Sequence, residues 1–168
     1  KNYMILITGS AGFIGFHLAE YYLKQKLKVI GVDNFSDYYD VNYKKKRISI
    51  LKKYKNFSFH KMDLKNEKSY QILNKYKKKI KIVIHLAGQA GVRYSIKNPA
   101  SYIKNNIEAY VYLLEYFKFQ KNIQAFLYAS SSSIYGDSVN KIKNKMISVY
   151  AVSKKTLENI SDVYNQIY

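Results

Sequence analysis

Residues Thr8-Gly9-Ser10-Ala11-Gly12-Phe13-Ile14-Gly15 space three glycines evenly, directly after the apolar run 3–8 (YMILIT). A chain that turns sharply from strand to helix and lets its backbone approach a diphosphate needs residues without a Cβ at such places. Gly9 would allow the turn, Gly12 the close approach and Gly15 the packing of helix on sheet. The helix N-terminus then offers unpaired N–H groups and a positive dipole end to the phosphates. The same glycines could simply shape a turn, and the pattern alone does not separate the two readings. Asp33 adds the missing context. It ends a second apolar run, Lys28–Asp33, 18 residues beyond Gly15, where a carboxylate accepts hydrogen bonds from the ribose hydroxyls of a dinucleotide. A carboxylate there repels a 2′-phosphate, and no arginine follows it, which favours NAD over NADP. Asp63 closes the third apolar run and is either an adenine-side residue or the cap of the next helix.

A second constellation lies near the other end. Tyr150-Ala151-Val152-Ser153-Lys154 is a Y-x-x-x-K pattern, and a four-residue spacing on a helix puts both side chains on one face. A free phenol titrates near 10 and is a poor base at neutral pH. A nearby ammonium stabilises the phenolate and makes it a general base for an alcohol proton. Tyrosine and lysine are so frequent here that chance matches to this pattern are expected. Lys155 is one residue off the shared face. The run Ser130-Ser131-Ser132-Ser133 follows the fifth apolar run, and a hydroxyl there could align the reacting oxygen with the tyrosine. A polar loop without chemistry accounts equally well for three of the four.

These groups need a scaffold, and the patterning supplies one. Apolar runs of strand length at residues 3–8, 28–33, 57–62, 81–87 and 124–130 alternate with helical patterns at 13–25, 41–54, 67–76, 99–119 and 149–168. Ile14, Leu18, Tyr21 and Tyr22 form the expected apolar face of the first helix; Ile48 and Leu51 face inward on the second, Ile72 and Leu73 on the third. Pro99 suits the first position of the fourth helix. Leu157, Ile160, Tyr164 and Ile167 recur at helical spacing on the last. The order βαβαβαβαβα implies an α/β fold, a Rossmann-type doubly wound parallel sheet of about five strands. The polar, lysine-rich segment 137–146 reads as a loop.

Composition excludes other classes. The 168 residues contain no cysteine, which removes disulfide scaffolds, Cys-ligated metals and thiol nucleophiles, and no metal site is expected. A net charge of +18 comes almost entirely from lysine, with Arg47 and Arg93 the two arginines. Nucleic-acid readers spend arginine on bidentate contacts, and no helix-turn-helix, RNA-recognition signature or finger spacing is present. The lysines read as a solvated surface, and no nucleic-acid partner is expected. The glycines at 9, 12 and 15 break the most apolar stretch, so no membrane span is expected. The chain starts at Lys1 rather than methionine, leaving room for residues upstream.

The segments TGSAGFIG, VDN at 32–34, HLAGQAGVR at 85–93, SSSSIYG at 130–136 and YAVSK together resemble the extended short-chain dehydrogenase/reductase family, the NAD-dependent nucleotide-sugar epimerases and dehydratases. DNFSDYYDVNYKKKR at 33–47 and QAGVRYS at 89–95 look most like its UDP-glucuronate 4-epimerase branch. The resemblance covers essentially the whole chain. Family members are about twice as long, so residues 1–168 look like an NAD-binding Rossmann domain without the C-terminal substrate domain, with little turnover expected of this chain alone. The resemblance implies that Gly9, Gly12, Phe13, Ile14 and Gly15 cradle the pyrophosphate. Asp33 and Asn34 would hold the adenosine ribose, Asp63 and Leu64 border adenine, and Ala87, Gly88 and Gln89 line the cofactor. The family often has alanine at 88, and glycine is expected to be harmless there. Asn106, with Asn105 as neighbour and rival, matches the asparagine of the fourth helix. Ser131 matches the catalytic serine, Tyr150 the base and Lys154 its partner, the last two also touching the cofactor. Gln89, Arg93, Ser132 and Ser133 would face the sugar of a UDP-sugar substrate. A cytoplasmic location and a homodimer of the full-length protein follow from resemblance alone. Other 4-epimerases, 4,6-dehydratases and decarboxylases share the pattern; the absence of acids among residues 131–133 counts against a dehydratase.

Overall fold

The computed structural model describes residues 3–136 and 146–168. Lys1 and all of the lysine-rich loop 137–146 except Met146 lie outside the described residues. The chain divides into two compact units, one of Lys1–Ala87 and Gln120–Tyr128, the other of Gly88–Phe119 and Ala129–Tyr168.

The first unit holds the sheet. Its elements are β1 (Met4–Thr8), α1 (Phe13–Lys24), β2 (Lys28–Asp33), α2 (Val41–Leu51), β3 (Phe57–Lys61), a 3₁₀ helix (Glu67–Tyr76), β4 (Ile80–His85) and β5 (Ala125–Tyr128). All pairings are parallel, in the order β3-β2-β1-β4-β5. This is the Rossmann-type doubly wound arrangement, with its reversal of strand order between β1 and β4. β1 is central, and Ile5, Leu6 and Ile7 are almost wholly buried, as expected of a continuous apolar run in a parallel sheet. Thr8 lies level with Val32 on one side and His85 on the other, so the three strands end together. Asn122 ties the start of β5 down by donating to the Ile80 carbonyl at 2.6 Å.

Three expectations change here. The buried face of α1 is Gly15, Phe16, Ala19 and Leu23. Ile14 and Tyr21 are 64% and 59% exposed, because Gly15 rather than Ile14 must press on the glycine turn. Residues 67–76 form 3₁₀ turns rather than an α-helix. The Ser69 hydroxyl takes the carbonyls of Asp63 and Asn66, a local competition that favours tight turns. There Leu73 is buried but Ile72 is 38% exposed.

The second unit is helical: α3 (Val92–Lys97), α4 (Pro99–Tyr102), a π-helical turn (Ile103–Glu108), α5 (Ala109–Phe117), a 3₁₀ turn (Ser132–Tyr135) and α6 (Val149–Ile167). The helix expected over 99–119 does open on Pro99 but is interrupted by the π turn. α3 was not foreseen. On α6, Leu157 is buried, whereas Ile167 is 64% exposed. Ser148 caps α6 by accepting the N–H of Ala151 at 3.0 Å.

Candidate active site

In the sheet-bearing unit the glycine turn sits at the carboxyl ends of β1 and β4, the place where open α/β sheets bind ligands. Gly9 has φ +70, and a Cβ on it would lie 2.7 Å from the Ala87 nitrogen. A Cβ on Gly15 would lie 2.2 Å from the Gly9 carbonyl oxygen. Gly15 therefore lets α1 close onto the turn itself rather than onto the sheet. Gly12 meets only the Gly9 oxygen, at 3.1 Å, and otherwise faces open space. As N-cap of α1 it supplies no side-chain cap, and the first turn of α1 carries no acid. Uncapped N–H groups behind a turn that Gly9 and Gly12 leave without a Cβ at its two ends fit the pyrophosphate of a dinucleotide. Phe13 and Ile14, at the head of α1, are both exposed.

Asp33 is buried, and each carboxylate oxygen already holds one backbone donor: Oδ2 takes Ala11 N–H at 3.1 Å and Oδ1 takes Phe35 N–H at 2.8 Å. The carboxylate thus ties the end of β2 to the glycine turn and keeps further lone pairs that could accept other donors. Asn34 accepts the N–H of Ser36 in a local turn. Asp63 accepts the Lys65 N–H at 3.0 Å and lies 3.7 Å from its ammonium. It caps a local turn after β3, whereas the cap of the 3₁₀ helix that follows is Asn66, which accepts the Lys68 N–H at 3.1 Å. Leu64 is buried beside it, its carbonyl accepting the Tyr70 hydroxyl.

Two residues outside the expected set shape this half. The Thr8 hydroxyl accepts N–H groups from Leu86 and Ala87 at 3.2 and 3.1 Å and lies 2.8 Å from His85 Nδ1. It pins the chain leaving β4, and its place before Gly9 in the motif was the available signal. Arg47, on α2, donates to the Ala11 carbonyl at 3.2 Å and sits 5.9 Å from the centre of the Phe13 ring.

In the helical unit Asn106 is the hub. Its Oδ1 accepts Gln89 N–H at 2.6 Å, and its Nδ2 donates to the Gln89 carbonyl at 3.2 Å and to Ser153 Oγ at 2.9 Å. Ser153 in turn donates to the Tyr150 carbonyl at 2.7 Å. Asn106 therefore reaches α6 through Ser153, and its side-chain oxygen and nitrogen are both engaged within this unit. Its rival Asn105 bonds back to Ser101. A Cβ on Gly88 would come within 2.9 Å of Asn106 Oδ1, so an alanine at 88 would crowd this hub rather than be harmless there. The Gln89 amide folds back on the Ala90 carbonyl, and Arg93 is exposed on α3. Buried Tyr102 donates its hydroxyl to the Ala90 carbonyl at 2.7 Å and sets its ring edge-on to Tyr150, with centroids 6.0 Å apart.

Lys154 is 7% exposed and donates to the Ala129 carbonyl at 2.9 Å. Burial pushes its ammonium down to about 8. Lys155 instead pairs with Glu158 at the surface. Ser131 caps the 3₁₀ turn and accepts both the N–H and the hydroxyl of Ser133, at 3.2 and 2.9 Å. With both lone pairs taken, its own proton is left to donate outward. Ser130 is bound to Glu158, and Ser132 is exposed.

A family model described as the NAD dependent epimerase/dehydratase family matches residues 5–168. The chain belongs to this family. Protein CapI of Staphylococcus aureus is 44% identical over 98% of this chain, and a UDP-glucuronate 4-epimerase of Thermodesulfobacterium geofontis is 40% identical over 97%. The crystal structure of UDP-glucuronic acid 4-epimerase from Bacillus cereus, in complex with UDP-glucuronic acid and NAD, superposes with a TM-score of 0.87 at 33% identity, covering 98% of this chain. The chain spans about half the length of these relatives: 50% and 51% of the two proteins and 53% of the crystal structure.

Proposed function

We propose that this chain is the dinucleotide-binding half of an NAD-dependent nucleotide-sugar 4-epimerase, acting on UDP-glucuronate in the whole protein. The observation that carries the reading is the uncapped, acid-free start of α1 behind a glycine turn that Asp33 holds in place. NAD, when bound, supplies the hydride acceptor that makes oxidation at a sugar carbon, and its reversal on the other face, possible. Gly9, Gly12 and the first N–H groups of α1 would hold its pyrophosphate, and Asp33 the adenosine ribose.

Tyr150, one helical turn before Lys154, takes the proton of the sugar C4 hydroxyl. Ser131 donates its free proton to the same sugar oxygen and fixes its position against Tyr150. Tyr102 packs on Tyr150, while Asn106 and Ser153 hold its backbone, so the base loses little freedom in reaching a near-attack arrangement. Gln89, Arg93, Ser132 and Ser133 are the residues assigned to the sugar. The cytoplasm and a homodimer are the setting of the full-length enzyme.

The test is to incubate the chain with NAD and, separately, with UDP-glucuronate and UDP-glucose, following sugar binding and C4 inversion by NMR. UDP-glucuronate should bind the better of the two, with little or no inversion by the 168-residue chain. Tighter binding of UDP-glucose would overturn the substrate, and ready inversion would overturn the reading of this chain as an inactive half.

A further inference from the structure

Asp33 and Arg47 grip opposite ends of one residue. The carboxylate takes the N–H of Ala11 and the guanidinium donates to its carbonyl. Arg47 is half-buried, leans on the exposed Phe13 ring, and has donors to spare beyond the one given to Ala11. Sequence spacing concealed this, because the arginine comes from α2 rather than from the residue after Asp33. A guanidinium that shares Ala11 with the carboxylate assigned to the ribose, and has donors left over, is placed to take a phosphate on that ribose in fork geometry.

We infer that Arg47 is a specificity-determining residue of the dinucleotide site. It forms a latent pocket for a 2′-phosphate, which the charge of Asp33 keeps closed. Selection of NAD then rests on repulsion by Asp33 rather than on a lack of cationic partners. The inference rests on the dinucleotide reading above, and the test separates the two.

NAD and NADP are titrated into the wild-type chain and into Asp33→Asn, Asp33→Asn/Arg47→Met and Asp33→Asn/Arg47→Lys, with circular dichroism melts to confirm folding. Asparagine keeps one of the two backbone bonds of Asp33, so the turn persists. Wild type should prefer NAD. Asp33→Asn should raise the NADP-to-NAD affinity ratio about tenfold or more. The methionine variant should lose that gain, and the lysine variant should keep most of it. If methionine weakens both dinucleotides alike, Arg47 only braces the turn and the inference fails. If Asp33→Asn, or Asp33→Ser in its place should asparagine unfold the chain, leaves the ratio unchanged, it fails as well. If the wild type binds neither dinucleotide, the underlying reading falls.

Discussion

Gly12 and Gly15 look alike in the motif but differ in what surrounds them. A Cβ at 15 would run into the Gly9 carbonyl at 2.2 Å, whereas one at 12 meets a single atom at 3.1 Å. Gly15→Ala should therefore cost about 3 kcal/mol or more in a urea melt, the upper range for overpacking against fixed atoms. Gly12→Ala should leave the fold nearly intact and weaken NAD binding at least tenfold by calorimetry. Lys154 gives a pH signature. Its ammonium titrates near 8 when folded and near 10.5 when exposed. Between those values the unfolded chain holds more protons, so stability rises with pH there, by up to about 3 kcal/mol. Burial lifts the Tyr116 phenol to about 12 from 10.0, which reverses the trend above pH 10. Urea melts from pH 7 to 11 should show this maximum, and Lys154→Met should remove the rise and be the more stable protein at pH 7. The glycine turn, Asp33 and the Tyr150–Lys154 pair could be nominated from sequence because short motifs carry them. Arg47 and Tyr102 were not, since their partners are backbone atoms distant in sequence.

Elements were legible where one periodicity governed them. All five strands were, because each is a short strand-forming run bounded by helical patterns; β1, β2 and β4 are mostly buried in the sheet, and the edge strands β3 and β5 only partly so. The π turn was not, since nothing in IKNNIE distinguishes it from α-helix. Its effect is nonetheless specific: the widened turn carries Asn106, and π turns concentrate at functional sites. Asn106→Ala would leave both backbone groups of Gln89 and the Ser153 hydroxyl short of a partner. A loss of about 2–4 kcal/mol is expected in chemical denaturation, together with faster hydrogen exchange at Gln89. α3 was missed because VRYSIK is short and its start, at Gly91 with φ +101, offers no side-chain cap. The face of α1 was misjudged for a different reason. Contact of Gly15 with the turn sets the phase of that helix, so Phe16, Ala19 and Leu23 join the core while Ile14 and Tyr21 face outward.

For the molecule as a whole, the charge of +18 and the half-length match to its relatives bear on one question. A lysine-covered surface attracts any phosphate, so binding alone does not establish a built site. Salt separates the two, since exposed charges are screened within about 3 Å at 1 M while a buried turn is not. The deciding measurement is calorimetric titration of NAD into the chain at low and high salt, with NADP alongside. One-to-one binding of NAD that persists at high salt and exceeds that of NADP is the expected result. Equal binding of both that vanishes with salt, or no binding, would contradict the assignment of a dinucleotide site to the glycine turn and Asp33.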